Sequence, residues 1–193
     1  MTRTNPVTRA VVAGLLAAAL AACSSSSSEP AAVFPVGQGI RKDATRSALL
    51  ADGWTTCYEG DYASGTSLAT LLAGCTGQYM LLGCRADDAT DALALAAADR
   101  RETVVQADGP GLHHVANGVG WYFDASWSWG FFPAGQAVNL DTCDTDSGGV
   151  VLGAKDRRLC WHTQDGDLVA GFRCGDNALN DSTTWRRLVM VHP

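Results

Sequence analysis

Apolar and polar positions alternate most clearly from Gly120 to Phe132, where seven of the last twelve residues are aromatic. Trp121, Phe123, Ala125, Trp127, Trp129 and Phe131 occupy the odd positions, and Asp124, Ser126, Ser128 and Gly130 are among the even ones. A period of two is that of a strand with one buried face. A single straight strand of this length would run about 40 Å at ~3.3 Å per residue, long for a small domain. A bend or tight turn is therefore expected near Asp124-Ala125-Ser126. The shared parity of Trp121, Trp127 and Trp129 places them in the core. Tyr122 and Phe132, of opposite parity, are the better candidates for an exposed patch.

Upstream, Leu68, Leu71, Leu72 and Cys75 fall at i, i+3, i+4 and i+7, the spacing of one helical face. Thr66 or Ser67 is placed to cap that helix, and Gly77 to end it. Phe34 to Ile40 reads as an edge segment at the start of the fold. Thr55 to Tyr58 reads as a short strand and Gly60 to Ser64 as loop. Tyr79 to Cys84 is a continuous apolar run, read as a buried strand. Ala92 to Ala98, Glu102 to Gln106 and Val138 to Leu140 are further strand candidates. Arg158 to His162 and Leu168 to Cys174 flank Asp165-Gly166, a favoured two-residue hairpin turn. Trp185 to His192 closes the chain as a strand. The sum is a mainly β domain with one short helix, either an antiparallel sandwich or an α+β sheet with the helix on one face.

The first 22 residues have a different character. Arg3 and Arg9 precede an apolar run, Val11 to Leu20, that is too short to cross a bilayer as a stable helix. Leu20-Ala21-Ala22-Cys23 closely resembles a bacterial lipobox. The resemblance implies a signal peptide over 1–22, cleavage before Cys23, and lipid attached at that residue. Several acyl chains hold a protein stably, at ~0.8 kcal/mol per buried CH₂. Ser24 to Ser28 then read as part of a flexible tether over 23–33, ahead of a single domain at 34–193. The expected location is the cell envelope, on its extracytoplasmic side.

Without the two leader arginines, 12 basic side chains face 20 acidic ones, a formal charge of −8. That balance disfavours a nucleic-acid groove or a polybasic membrane surface. Setting Cys23 aside leaves six cysteines, Cys57, Cys75, Cys84, Cys143, Cys160 and Cys174, which read as three disulfides in an exported chain. Three precede the aromatic stretch and three follow it, so at least one bridge joins the halves. With Asp165-Gly166 as a two-residue loop, Cys160 and Cys174 project to opposite faces of their hairpin and do not pair. Cys75 on the helix reaches back to Cys57. Assigning Cys84 to Cys160 leaves Cys143 for Cys174, so the expected set is Cys57–Cys75, Cys84–Cys160 and Cys143–Cys174.

Candidate chemistry is sparse. No nucleophile elbow, zinc helix, phosphate loop or dinucleotide turn occurs. His113-His114 lies between glycine turns and His162 beside Trp161. With Asp124 or Asp144, His114 and His162 would form an acid–base site if the fold brought them together; the plainer reading is that they bond loop backbone or face solvent. Asp141, Asp144 and Asp146 resemble part of a calcium loop, but Lys155 stands where an EF-hand needs glutamate, and a solvated acidic loop is the simpler account. No resident metal or cofactor is expected. His114, Tyr122, Asp124 and His162 are the candidate binding residues.

From Gly53-Trp54 onward the chain resembles an uncharacterised cysteine- and tryptophan-rich module of exported bacterial proteins. Cys57-Tyr58, Ala116-Asn117-Gly118, Trp121-Tyr122-Phe123, Ser126-Trp127-Ser128-Trp129-Gly130-Phe131, Cys143-Asp144, Trp161-His162-Thr163 and Arg173-Cys174-Gly175 carry the likeness. It implies location and single-domain architecture only, and no catalytic residues are carried over from it. The expected function is binding of an extracytoplasmic glycan or protein by a membrane-anchored domain. A hydrolase built on His114 and His162, and a purely structural envelope component, are the alternatives.

Overall fold

Alternation becomes two main antiparallel sheets and a two-stranded ribbon in the computed structural model, which describes residues 39–42, 44–109, 111–140, 143 and 153–193. In chain order the elements are β1 (Ala44–Thr45), α1 (Arg46–Ala51), β2 (Thr55–Asp61), β3 (Thr66–Ser67), α2 (Leu68–Gly74), β4 (Tyr79–Ala86), β5 (Ala92–Leu93), β6 (Leu95–Arg100) and α3 (Arg101–Val104). Then follow β7 (His114–Ala116), β8 (Val119–Phe123), β9 (Ser128–Pro133), β10 (Leu159–Gln164), β11 (Asp167–Cys174), β12 (Asn177–Ala178) and β13 (Trp185–His192). The smaller sheet runs β2-β13-β4-β6; the larger runs β12-β11-β10-β9-β8-β7, with β3 added to β11. All the described strands of the fold lie in one compact unit.

The aromatic stretch is a hairpin. Phe123 pairs with Trp129, and Asp124 N–H donates to Ser128 O at 2.9 Å, so the chain reverses over residues 125–127. Trp121, Trp129 and Phe131 enter the main core with Trp161, against Met80, Leu82 and Val189 of the smaller sheet. The Trp129 and Trp161 rings meet edge to face at 5.3 Å. Each indole N–H finds an acceptor: Trp129 donates to Val104 O at 3.0 Å, and Trp161 to the Tyr62 hydroxyl at 3.1 Å. Burying a ring while satisfying its one donor keeps the full hydrophobic gain.

Both sheets are covered on their outer faces as well. Leu81, Leu188 and Met190 pack under Trp54, Leu49 of α1, and Ala44 and Leu93 of the β1–β5 ribbon. On the larger sheet Tyr122 and Phe132 lie under Leu140 and Cys143, with Cys160 beside them. The expected exposed patch at Tyr122 and Phe132 is therefore corrected: both are buried, because the segment after β9 folds back over that face. Tyr122 crosses Gly130 to donate to Leu159 O at 3.1 Å. A Cβ at Gly130 would collide with that hydroxyl and with the Leu159 carbonyl, which explains the glycine.

The expected helix is α2, capped by Ser67, whose hydroxyl accepts from Thr70 N–H. Two further short helices accompany it. One is α3, where a strand was expected over Glu102 to Gln106; Arg101 fastens it by donating to the carbonyls of Cys75 and Leu72. Val138 to Leu140 forms no strand either: Leu140 turns inward and its carbonyl accepts from Ser128 Oγ at 2.9 Å.

Three disulfides staple the fold. Cys57–Cys75 is as expected, with Cα atoms 5.3 Å apart. The other two exchange partners, to Cys84–Cys174 and Cys143–Cys160. The hairpin begins in the expected register, Gln164 opposite Asp167 and Thr163 opposite Leu168, and then bulges opposite His162. Past the bulge Cys160 faces Arg173 rather than Gly171. That shift of two keeps the parity, so Cys160 and Cys174 remain on opposite faces. Cys174 faces the core between the sheets, where Cys84 lies, whereas Cys160 faces the outer layer with Cys143. The expected pairing had the faces interchanged. Disulfides of this kind fit an oxidising, extracytoplasmic compartment. Among the described residues no helix is long and apolar enough to cross a membrane.

Candidate functional site

The structure separates the residues that the sequence offered as one site. His114 pairs with Trp121 and so projects to the core side of β7. Its Nδ1 lies 2.5 Å from Asp108 Oδ2 and its Nε2 lies 2.9 Å from Thr103 O. Both ring nitrogens thus fasten the edge hairpin, one to α3 and one to the loop that follows it. Asn117 adds a second clasp, donating to the buried Asp99 carboxylate at 2.9 Å. His162 follows Trp161 on β10 and projects to the opposite face, its ring 5.9 Å from that of Phe172. Strands β7 and β10 are three positions apart in the sheet, about 14 Å at ~4.8 Å per strand. Opposite faces and that separation keep the two imidazoles from sharing a substrate. Asp124 is occupied locally, its Oδ1 accepting from Ser126 N–H at 2.8 Å. Asp141, Asp144 and Asp146, like Cys23 and the leader, lie outside the described residues. Among the described residues no three His, Cys, Asp or Glu side chains converge as a metal site.

One tryptophan departs from its expected parity. Trp127 is 41% exposed, since it sits in the turn between β8 and β9, where alternation no longer applies. The turn is braced by β10: Thr163 N–H donates to Trp127 O at 3.2 Å, and the Thr163 hydroxyl donates to Asp124 O at 2.5 Å.

A concave site forms at the other sheet. The β4–β13 ladder ends at the pair Ala86 and Trp185, and Asp87 N–H extends it by one bond to Thr184 O at 2.9 Å. Beyond that bond the two chains part. The gap is a cleft of about 430 Å³ lined by Ala86, Asp87, Asp88, Thr184 and Trp185. Trp185 is half-buried, with its inner side packed on the main core.

Charge pairs on the smaller sheet hold this cleft in shape. Arg186 donates twice to Asp87, Nε to Oδ1 at 2.5 Å and Nη2 to Oδ2 at 2.7 Å, and its Nη1 lies 3.7 Å from Asp61. Those bonds hold the Asp87 carboxyl below the usual carboxylate range and raise Arg186. Asp61 is lowered too, first by its hydrogen bonds to Ser64. Next to them Arg85 donates to Glu59 at 2.6 Å and to the carbonyls of Ala86 and Asp87. Arg46 completes the row, 3.3 Å from Glu59. Asp88 is the exception: it is exposed and has no hydrogen-bond or ionic partner among the described residues. Sequence reasoning missed the cleft because β4 and β13 are distant in the chain. Only the polar connection at Asp87-Asp88 and the tryptophan opening the last strand were visible beforehand.

No known family, curated protein or solved structure matches this chain.

Proposed function

We propose that this chain is a lipid-anchored, extracytoplasmic binding domain that engages a glycan or protein partner through the Trp185 cleft. The observation that carries the reading is the cleft itself. It pairs the aromatic Trp185 with the carboxylate of Asp88, which has no partner among the described residues, beside the Arg186–Asp87 bonds. A mostly preformed concavity with few polar groups is the usual form of a recognition site. The lipobox at Leu20-Ala21-Ala22-Cys23 supports the anchor, and the disulfides support the compartment.

Two experiments test the reading. Capture of envelope glycans and proteins on the immobilised mature chain is expected to yield a ligand that Trp185→Ala or Asp88→Asn releases. Ligands that bind both variants as well as the parent would remove the cleft from the function. Separately, Cys23→Ala is expected to shift the protein from the membrane fraction to uncleaved precursor or soluble material. Unchanged fractionation would refute the anchor.

A further inference from the structure

We infer that the outermost hairpin of the larger sheet is held by a proton-dependent clasp, complete on a doubly protonated His114 and one bond short when that imidazole is neutral. The inference is independent of the binding reading above and comes from counting donors. His114 Nδ1 faces Asp108 Oδ2 at 2.5 Å, and Nε2 faces Thr103 O at 2.9 Å. A backbone carbonyl and an ionised carboxylate are acceptors only, and a neutral imidazole has one N–H to donate. Both contacts are hydrogen bonds only when the ring carries two protons. Without the second, one nitrogen turns a lone pair toward an oxygen lone pair. A proton shared between the two groups ordinarily stays on the imidazole rather than the carboxylate. The other Asp108 oxygen is occupied, since Oδ1 accepts from Gln106 Nε2 at 2.5 Å. The His114 and Asp108 side chains are 18% and 14% exposed, so little water reaches the pair to replace a lost partner.

The charged groups on the surrounding elements are engaged elsewhere. Arg101 of α3 donates to the carbonyls of Cys75 and Leu72, and Glu102 is exposed to solvent. On β6, Asp99 accepts from Arg100 N–H and from Asn117, and the Arg100 guanidinium lies over the Tyr79 ring. Across the ladder β8 sets Trp121 opposite His114, while His113 turns to the outer face, against Phe132. Strand β7 needs the clasp. It has three residues, one neighbouring strand and an outward Val115 that is 56% exposed. The Asn117 bond to Asp99 holds the turn at its far end. The closed hairpin binds one proton more than the open one, so raising the pH favours opening. Loss of a clasp bond loosens β7 while the rest of the sheet stays paired. It also bares the flank of Trp121, which is wholly buried in the closed form.

The test follows the full-length chain by NMR in uncharged maltoside micelles. The pH is raised from about 5 until His114 gives up its second proton, a change that histidines ordinarily make between about pH 5 and 8. Imidazole nitrogen shifts report the protonation. Amide protection, corrected for the intrinsic exchange rate at each pH, reports the hairpin. The amides to follow are His114 and Ala116, which point at β8 in a hairpin closed by two turn residues. Both His114 nitrogens are expected to carry protons while β7 is protected. Protection should fall about tenfold or more as the second proton leaves, the effect of losing one hydrogen bond to a charged group. Protection of Val189, between β2 and β4, should hold throughout. Asp108→Asn makes the decisive comparison. Its amide oxygen can accept from Gln106 while its N–H donates to Nδ1, so a neutral ring donating through Nε2 completes the clasp. That variant is expected to stay protected after His114 becomes neutral. His114→Gln, which cannot take up the proton, should make protection independent of pH. Should either variant fail to fold, the parent titration alone decides. A single protonated nitrogen in the closed parent, or protection indifferent to loss of the second proton, overturns the inference. So does pH dependence that survives in His114→Gln, or an Asp108→Asn hairpin that opens as His114 loses its proton.

Discussion

Replacing Arg187 with leucine is expected to destabilise the domain by about 3–5 kcal/mol, the cost of breaking a buried, fully bonded charge site. Arg187 is completely buried although it stands in the middle of an apolar strand. Parity explains why it points inward: it shares its face with Val189 and Val191, which line the main core. It reaches the end of that core, where the corner after β2 and the β11 bulge present backbone carbonyls. Its Nε and Nη2 donate to Asp61 O at 3.0 and 2.7 Å, Nη2 also donates to Ser64 O, and Nη1 donates to Val169 O at 2.7 Å. The guanidinium lies 5.4 Å from the Tyr62 ring centre. Burial pulls its pKa down from the usual arginine value, an effect that the nearby Tyr58, Tyr62 and Asp61 oppose. Leucine would leave three carbonyls facing apolar side chains, each costing ~1–3 kcal/mol if unpaired. Lysine keeps the charge but cannot span the same acceptors, so an intermediate loss is expected. The neighbouring Arg186 makes a contrast. Its ion pairs are largely solvated, and Arg186→Leu should cost only about 0–1 kcal/mol. For a domain of this size each kcal/mol moves the melting midpoint by roughly 2–4 °C, so thermal denaturation separates the two variants easily. Equal shifts for both would show that the Arg187 carbonyls find other partners.

What the sequence disclosed followed from periodicity. The aromatic hairpin, α2, the buried β4 and the Asp165-Gly166 turn each carry a local signal, either alternation, helical spacing or turn chemistry. Helices of four to six residues, such as α1 and α3, contain too few positions to show a period, and their form is set by tertiary contacts such as Arg101 to Cys75 O. Burial of the second face of the larger sheet was hidden for a different reason. Alternation says which residues share a face, and it is silent on whether a loop returns to cover the other one, as the Leu140 segment covers Tyr122. The cleft lay further still from view. Asp88 reads as one residue of a polar loop and Trp185 as one residue of a strand, and only the β4–β13 ladder makes them neighbours.

Peptide mapping without reduction is expected to recover Cys57–Cys75, Cys84–Cys174 and Cys143–Cys160, and among them Cys84–Cys174 should matter most. The face argument leads to the pairing. Trp161 lies in the core between the sheets, so Cys160, one residue before it, must face outward. Cys174 has the parity of Trp161 across the bulged hairpin and therefore faces inward, toward Cys84 on the opposing sheet. The bridge joins residues 90 apart, against 18 and 17 for the other two. On the loop-closure estimate it stabilises by about 4.5 kcal/mol and each of the shorter ones by about 3 kcal/mol. It also joins the two sheets directly, linking β4 to β11, whereas Cys57–Cys75 fastens a helix and Cys143–Cys160 fastens the outer layer. Paired alanine substitutions at Cys84 and Cys174 should accordingly give the lowest denaturation midpoint of the three double variants. A smaller loss there than at Cys57 and Cys75 would contradict the loop-length account. A Cys84–Cys160 peptide would contradict the assignment of faces, and with it the register past the bulge.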